Sequence, residues 1–326
     1  MSFNQNILEI DAKAEIDRIV QTLRDCVVKV MHKRGAVLGV SGGVDSSLTL
    51  ALCVRAFSSE HVTALLLPDK DSNPASEVLA RQVAKHLGIE PILENITPTL
   101  EGFGCYSRRD AAIRRVFPEY NAAAGYKAKI VLPANILNEN TLNVFSLTII
   151  TPSGEEKTQR LAASDYLQIE AASNFKQRTR MSMIYYYAER QNYAVIGTAN
   201  RDELEQGFFV KYGDGGVDIQ PIAHLYKTQV YQLAEYLGIP QAIIERTPTT
   251  DTYPAEQTQE EFFYQLPFDA MDCYWFGFEN GYMPGEIAAV MGESEERITA
   301  LFRNFERKKR TTEYLRMSPL RDYFGI

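Results

Sequence analysis

The spacing of apolar positions divides this chain into alternating helices and strands. Ile16, Ile19, Val20, Leu23, Val27 and Val30 recur at helical intervals over 11–34, which predicts an amphipathic helix ahead of the first strand. Short apolar runs at 36–40, 62–67 and 91–96 read as strands, and the stretches 45–57 and 75–87 between them as helices. Leu87-Gly88-Ile89 supplies a helix stop before the third strand. Strands separated by helices of this length predict an α/β fold with a doubly wound parallel sheet, whose ligands sit beyond the carboxyl ends of the strands.

The rhythm breaks between 98 and 163. Lys129 to Leu132, Leu142 to Ile150 and Glu156 to Leu161 read as strands, the last two joined by the turn Thr151-Pro152-Ser153-Gly154. We therefore expect a β-rich subdomain at 98–163, inserted into a core whose halves are 1–97 and 164–270. The core resumes with a helix at 164–191, a strand at 193–197 and a helix at 226–238 that stops at Leu237-Gly238-Ile239-Pro240. Residues 271–326 read as a helical C-terminal extension. Within it, Pro284 to Gly292 and Glu295 to Phe305 have the outline of a helix-turn-helix followed by the basic run Arg307 to Arg310. A pair of packing helices explains that outline better, since Glu293, Glu295 and Glu296 would face phosphates if the second helix entered a groove.

Composition narrows the classes further. At 326 residues, 45% hydrophobic and 23% charged, the chain can bury a large core together with an insertion. A net charge of −8 argues against broad nucleic-acid binding. No apolar run approaches the roughly 20 residues of a membrane span, and the first residues lack a basic leader with an apolar core. The expectation is a cytoplasmic protein without nucleic-acid or membrane partners. Cys26, Cys53, Cys105 and Cys273 lie far apart with no CxxC pair, which gives zinc or dithiol chemistry no support.

The most informative local pattern is Val37-Leu38-Gly39-Val40-Ser41-Gly42-Gly43-Val44-Asp45-Ser46-Ser47. An apolar strand halts at Ser41-Gly42-Gly43 and a helix begins at once. Glycines let backbone approach an anion, and a helix start offers unpaired N–H groups with about half an elementary positive charge. The hydroxyls of Ser41, Ser46 and Ser47 add donors. Asp45 is out of place in an anion pocket unless a divalent cation lies between its carboxylate and the phosphate. The pattern lacks the lysine of GxxxxGK[ST] and the spacing of GxGxxG. It resembles the SGGxDS pyrophosphate loop of the ATP pyrophosphatase superfamily, an adenine nucleotide alpha-hydrolase-like fold whose members adenylate an oxygen of the substrate.

The second half narrows the resemblance. Asn174-Phe175-Lys176-Gln177-Arg178-Thr179-Arg180-Met181 carries three cations on a predicted helix; by itself this could be a solvated face. It is followed by Gly197-Thr198-Ala199-Asn200-Arg201-Asp202-Glu203, Gly207 to Gly216, Asp218 to Ile222, Leu225-Tyr226-Lys227-Thr228 and Pro248-Thr249-Thr250-Asp251. In this order the segments are similar to those of the NAD⁺ synthetase family over 36–96 and 164–265. That resemblance implies ATP-dependent amidation of deamido-NAD⁺ to NAD⁺ through an acyl adenylate, with ammonia as nucleophile, Mg²⁺ as metal, and AMP and pyrophosphate released. It implies that Gly39, Val40, Ser41, Gly42, Gly43, Val44, Asp45, Ser46 and Ser47 hold ATP with Thr198, Lys227 and Thr249. It assigns Mg²⁺ to Asp45 and Glu203, and deamido-NAD⁺ to Asn174, Arg178, Lys211 and Asp218. Catalysis would rest on Asp45, Glu203, Lys227 and Asp214, the last as acceptor of the ammonium proton. Family members are homodimers. With no room for a fused glutaminase domain, ammonia would come from solution or from a separate glutaminase partner.

Four departures bear on the substrate rather than the reaction type. Leu66-Leu67-Pro68 stands where the family commonly has Arg-Leu-Pro, and 98–163 is long. The family's C-terminal His-Lys pair has no match unless Arg307 to Arg310 replaces it, and Gln257 to Glu261 differs from the usual acidic pattern. The alternatives are an amide ligase of the same superfamily acting on another carboxylate, and a sulfur-transfer enzyme relying on Cys105.

Overall fold

A computed structural model describes residues 2–131, 145–249, 253–255 and 257–320. Helix α1 (Ala12–Arg24) starts at Asp11, whose side chain accepts from the Ala14 amide, and buries Ile16, Ile19, Val20 and Leu23. It runs into a π-helical turn over Asp25–Val30 rather than continuing regularly to 34. Strands β1 (Ala36–Gly39), β2 (Val62–Leu66) and β3 (Ile92–Leu93) alternate with α2 (Val44–Phe57) and α3 (Pro74–His86). The third strand is only two residues long, at the sheet edge.

The segment expected to be β-rich opens with two helices, α4 (Thr97–Gly102) and α5 (Cys105–Val116). The buried positions of α5 are Cys105, Tyr106, Arg109, Ala112 and Ile113, a helical spacing. An arginine at the centre of that stripe hides it from a hydropathy reading. Strands β4 (Lys127–Val131), β5 (Ser146–Ile150) and β6 (Glu156–Arg160) then form an antiparallel sheet in that order. Leu132 and the first residues of the strand expected from Leu142 lie outside the described residues.

Helix α6 (Ala163–Gln191) returns to the parallel sheet through β7 (Ala194–Val195), giving the order β3-β2-β1-β7. Register fixes Ala36 opposite both Val62 and Ala194. Alternate strand residues enter two different cores. Ala36, Leu38, Ala64, Leu66, Ala194 and Ile196 pack with α1 and α2, whereas Val37, Leu65, Leu67 and Val195 pack under α6. Both faces being covered explains the continuous apolar runs of these strands.

After β7 come α7 (Arg201–Gln206), α8 (Lys227–Tyr236), α9 (Gln241–Ile244), α10 (Phe268–Glu279), α11 (Pro284–Met291) and α12 (Glu295–Arg316). Ile298, Leu301 and Phe305 of α12 are buried with Trp275 of α10, and the Trp275 and Phe305 ring centroids are 4.8 Å apart. The second helix of the helix-turn-helix outline thus spends its apolar face on an internal core. Among the described residues no helix is long and apolar enough to cross a membrane.

Candidate active site

A cleft of about 1170 Å³ opens at the carboxyl ends of β1, β2 and β7. Its first wall is the turn from β1 to α2. Gly42 adopts φ +77°, and a Cβ there would lie 2.5 Å from the Ser76 carbonyl, so only glycine suits this approach. The turn is laced by its own hydroxyls. Ser46 Oγ donates to the Gly43 carbonyl at 3.1 Å, Ser47 Oγ donates to the same oxygen at 2.8 Å, and the Ser41 amide donates to Ser46 Oγ at 3.2 Å. No side chain caps the start of α2. Its first amides therefore remain free to meet an anion from the cleft.

Asp45, in the first turn of α2, anchors the charged centre. Its Oδ1 accepts from Asn200 Nδ2 at 2.9 Å, and its Oδ2 is paired with Lys227 Nζ. Asn200 also begins α7. It accepts from the Glu203 amide at 3.0 Å while its own amide donates to Glu203 Oε2 at 3.2 Å, a capping box that turns Glu203 toward Asp45. Burial, then the nearby Asp45 carboxylate, pushes the Glu203 carboxyl up to about 8, against the opposing pull of Lys227. Two carboxylates facing one lysine beside a phosphate-type loop leave negative charge to be met. Mg²⁺ commonly takes one or two carboxylates plus substrate phosphates, so this oxygen donor set fits it.

Lys227 is fully buried. Burial alone would strip its charge, but Asp45 and Glu203 outweigh that and hold it above its ordinary value. Its backbone is pinned as well. The Lys227 amide donates to Asp202 Oδ2 at 2.8 Å and the Thr228 amide to Asp272 Oδ2 at 2.7 Å. Burial raises both carboxyls, Asp272 to about 6, and Asp272 pushes Asp202 further. Asp272 lies 45 positions from Lys227 in the chain, and nothing in the sequence announced it.

The second wall is the loop from Gly207 to Gly216 with α6 and α12. Asp214 lies exposed at the cleft and accepts from the Val210 amide at 2.8 Å. Arg178 is exposed and donates to the Lys211 carbonyl at 3.3 Å. Lys211 Nζ donates to the carbonyls of Tyr314 at 2.9 Å and Met317 at 2.6 Å.

The cleft thus brings together Gly39, Val40, Ser41, Gly43, Val44, Asp45, Ser46, Thr198, Thr249, Glu203, Lys227, Asn174, Arg178, Lys211 and Asp214. Gly42 and Ser47 stand behind the loop and support it. Asp218 turns away: its carboxylate accepts from the Val195 amide at 2.8 Å and from Tyr185 Oη at 3.1 Å, and so ties β7 to α6. The cation run of α6 is not a solvated face throughout. Lys176, 1% exposed, pairs with Asp71 at 2.8 Å, and Arg180 with Asp69 at 3.2 Å. Of the basic run on α12, Arg307 and Lys308 line the cleft. Thr250 and Asp251 lie outside the described residues. Cys105 is buried, donates to the Ala172 carbonyl at 2.9 Å, and has a thiol raised by burial; this is the opposite of a sulfur nucleophile.

The NAD synthase family model matches residues 15–132 and 134–315. An NH₃-dependent NAD⁺ synthetase of Mesorhizobium japonicum is 48% identical over 96% of this chain and 98% of its own length. One of Rhizobium meliloti is 48% identical over 97% and 94%. Among solved structures, an NMN synthetase of Francisella tularensis superposes with a TM-score of 0.64 at 22% identity, covering 96% of this chain and 99% of that one. An NH₃-dependent NAD synthetase of Campylobacter jejuni gives 0.62 at 22% identity with the same coverage. At that identity the two structures speak to the fold alone.

Proposed function

Since the chain belongs to the NAD synthase family, we propose a residue-by-residue division of labour for its reaction. The reaction is the ATP-dependent amidation of deamido-NAD⁺ to NAD⁺ with ammonia, releasing AMP and pyrophosphate. A carboxylate is a poor electrophile. Linking its oxygen to AMP makes it a good one, and ammonia then displaces AMP.

One observation carries the assignment: Asp45, Asn200, Glu203 and Lys227 form a single hydrogen-bonded and ion-paired cluster at the free amides of α2. In the first half-reaction the turn Ser41–Ser46 cradles phosphate oxygens through amides and hydroxyls. Lys227 offers a fixed, already desolvated charge to the departing pyrophosphate, which needs no reorganisation as charge develops. Asp45 and Glu203 would hold Mg²⁺, which when bound supplies charge neutralisation at the phosphates. Thr198 and Thr249 border the same part of the cleft. In the second half-reaction Asp214, whose carboxylate lies at the cleft, takes the proton from ammonium. Asn174, Arg178 and Lys211 face the dinucleotide.

The molecule works as a homodimer with the dinucleotide site near the subunit contact. Supporting this, α6 offers a second copy exposed apolar side chains at Leu167 (60%) and Tyr186 (54%), and Phe175 meets the exposed Phe103 with centroids 4.9 Å apart. Light scattering at micromolar concentration should give twice 36.8 kDa, and a fully active monomer would contradict it. A separate glutaminase as ammonia source belongs to the same reading, tested by whether added glutaminase and glutamine match free ammonia. The functional assignment is tested by exchange of labelled pyrophosphate into ATP. Exchange should require deamido-NAD⁺; exchange driven equally by unrelated carboxylic acids would overturn it.

A further inference from the structure

The loop between β2 and α3 lines the cleft with Leu67, Pro68, Asp69, Ser72 and Asn73. It leads straight into the Ser76 carbonyl, against which Gly42 of the phosphate turn is packed. Its hold comes from behind. Arg180 on α6 donates to the Leu67 carbonyl at 3.0 Å and to Asp69 Oδ2 at 3.2 Å. Lys176 reaches Asp69 at 3.4 Å and Asp71 at 2.8 Å. Asp71 is paired in turn with Arg109 of α5, a residue 1% exposed that also bonds Asp110 at 2.9 Å. Between the two aspartates, Lys70 stands 3.7 Å from the centre of the Tyr106 ring on α5 and 3.3 Å from Glu101 on α4.

Three cations thus meet three carboxylates in a space that admits little water. Burial would raise the Asp71 carboxyl, but Lys176 and Arg109 outweigh it and hold it below its ordinary value. The desolvation cost of such a network makes it a poor source of stability compared with apolar packing. What it does supply is a fixed geometry, because each partner removed leaves a buried charge unmet. Helices α4 and α5 open the segment 98–163, to which neither half-reaction gives any work.

We propose that α4 and α5 position the β2–α3 loop for ATP, and that Arg109 is the positioning residue, acting through Asp71. The inference rests on the reading that the wall beside the phosphate turn takes ATP. Arg109 stands behind the loop and reaches the cleft only through the chain Asp71, Lys176 and Asp69. Without it Asp71 keeps a single cation, and the loop loses its tie to α5 at that point.

The test is Arg109→Met, with Arg109→Lys as the conservative variant and Asp71→Asn loosening the same bond from the loop side. Arg115→Ala is the control, since Arg115 ties α5 to Asp165 of α6 at 2.7 Å without touching the loop. For each, KM for ATP is read from deamido-NAD⁺-driven pyrophosphate exchange, KM for deamido-NAD⁺ from NAD⁺ formation, and Tm from thermal unfolding. Arg109→Met and Asp71→Asn should each raise KM for ATP by ~10-fold, the size of one misplaced charged contact. Both should leave KM for deamido-NAD⁺ within about 2-fold, and Arg109→Lys should recover part of the loss. The double variant should be no worse than the poorer single one, because both break one link. Arg115→Ala should leave both KM values unchanged. An unchanged KM for ATP in Asp71→Asn overturns the proposal, and that variant decides alone if Arg109→Met fails to fold. A fall in Tm with both KM values shifting together, or a rise confined to deamido-NAD⁺, overturns it as well. Wild-type exchange without dependence on deamido-NAD⁺ would instead refute the underlying reaction, a separate readout.

Discussion

The two walls of the cleft hold their residues by different means. The wall Gly39 to Ser47 is nine consecutive residues that largely brace themselves, through Ser41, Ser46, Ser47 and the Gly43 carbonyl. The facing wall is braced from a distance. Arg316 at the end of α12 donates to the carbonyls of Leu204 at 3.0 Å and Glu205 at 3.2 Å, satisfying the C-terminus of α7. Thr312 sits so close to Gly207 that a Cβ there would fall 2.3 Å from it, and Lys211 is tied to Tyr314 and Met317. A self-contained wall is a rigid phosphate cradle, whereas a wall assembled across more than a hundred residues can be altered from its far end. That contrast gives substitutions on the two sides different expected consequences.

The largest effect belongs to the charged centre. Asp45→Asn and Glu203→Gln are each expected to reduce pyrophosphate exchange by roughly 1000-fold, the scale of losing a preorganised electrostatic group. Retained exchange in either would detach it from adenylation. Next is Gly42→Ala, where positive φ and a clash with backbone combine. A loss of about 1–3 kcal/mol of stability is expected, read by denaturant unfolding, and an unchanged midpoint would show that the turn relaxes. Arg316→Ala should cost about 1–3 kcal/mol through unsatisfied α7 carbonyls. It should raise KM for deamido-NAD⁺ while leaving KM for ATP nearly unchanged; equal shifts in both would erase the distinction between the walls. The smallest effect is that of Asp218→Asn. Its carboxylate serves β7 and Tyr185, so a modest stability loss near 1 kcal/mol is expected with both KM values preserved.

Legibility followed the same division. The parallel sheet could be read because Val37-Leu38 and Ala64-Leu65-Leu66 are buried on both faces, and the phosphate turn because its chemistry is contiguous. Asn200 was visible only as part of a segment, although Asn200-x-x-Glu203 has the spacing of a capping box. Asp272 carries no local signal, for it reaches Thr228 only through tertiary packing. Helix α5 escaped because Arg109 occupies its buried stripe, paired with Asp71 and, at 2.9 Å, with Asp110. Asp218, which the resemblance assigns to the substrate, hydrogen-bonds the Val195 amide and Tyr185 Oη and so also links β7 to α6.

The central claim is that the two half-reactions are served by different carboxylates, Asp45 and Glu203 for adenylation and Asp214 for the ammonia step. Asp214→Asn tests it most directly, with pyrophosphate exchange and NAD⁺ formation measured on the same folded preparation. The account predicts exchange near the wild-type rate and NAD⁺ formation slowed at least ~100-fold, the lower end of a proton-transfer contribution. Exchange lost as completely as in Asp45→Asn would contradict it and assign Asp214 to binding or to the architecture of the loop.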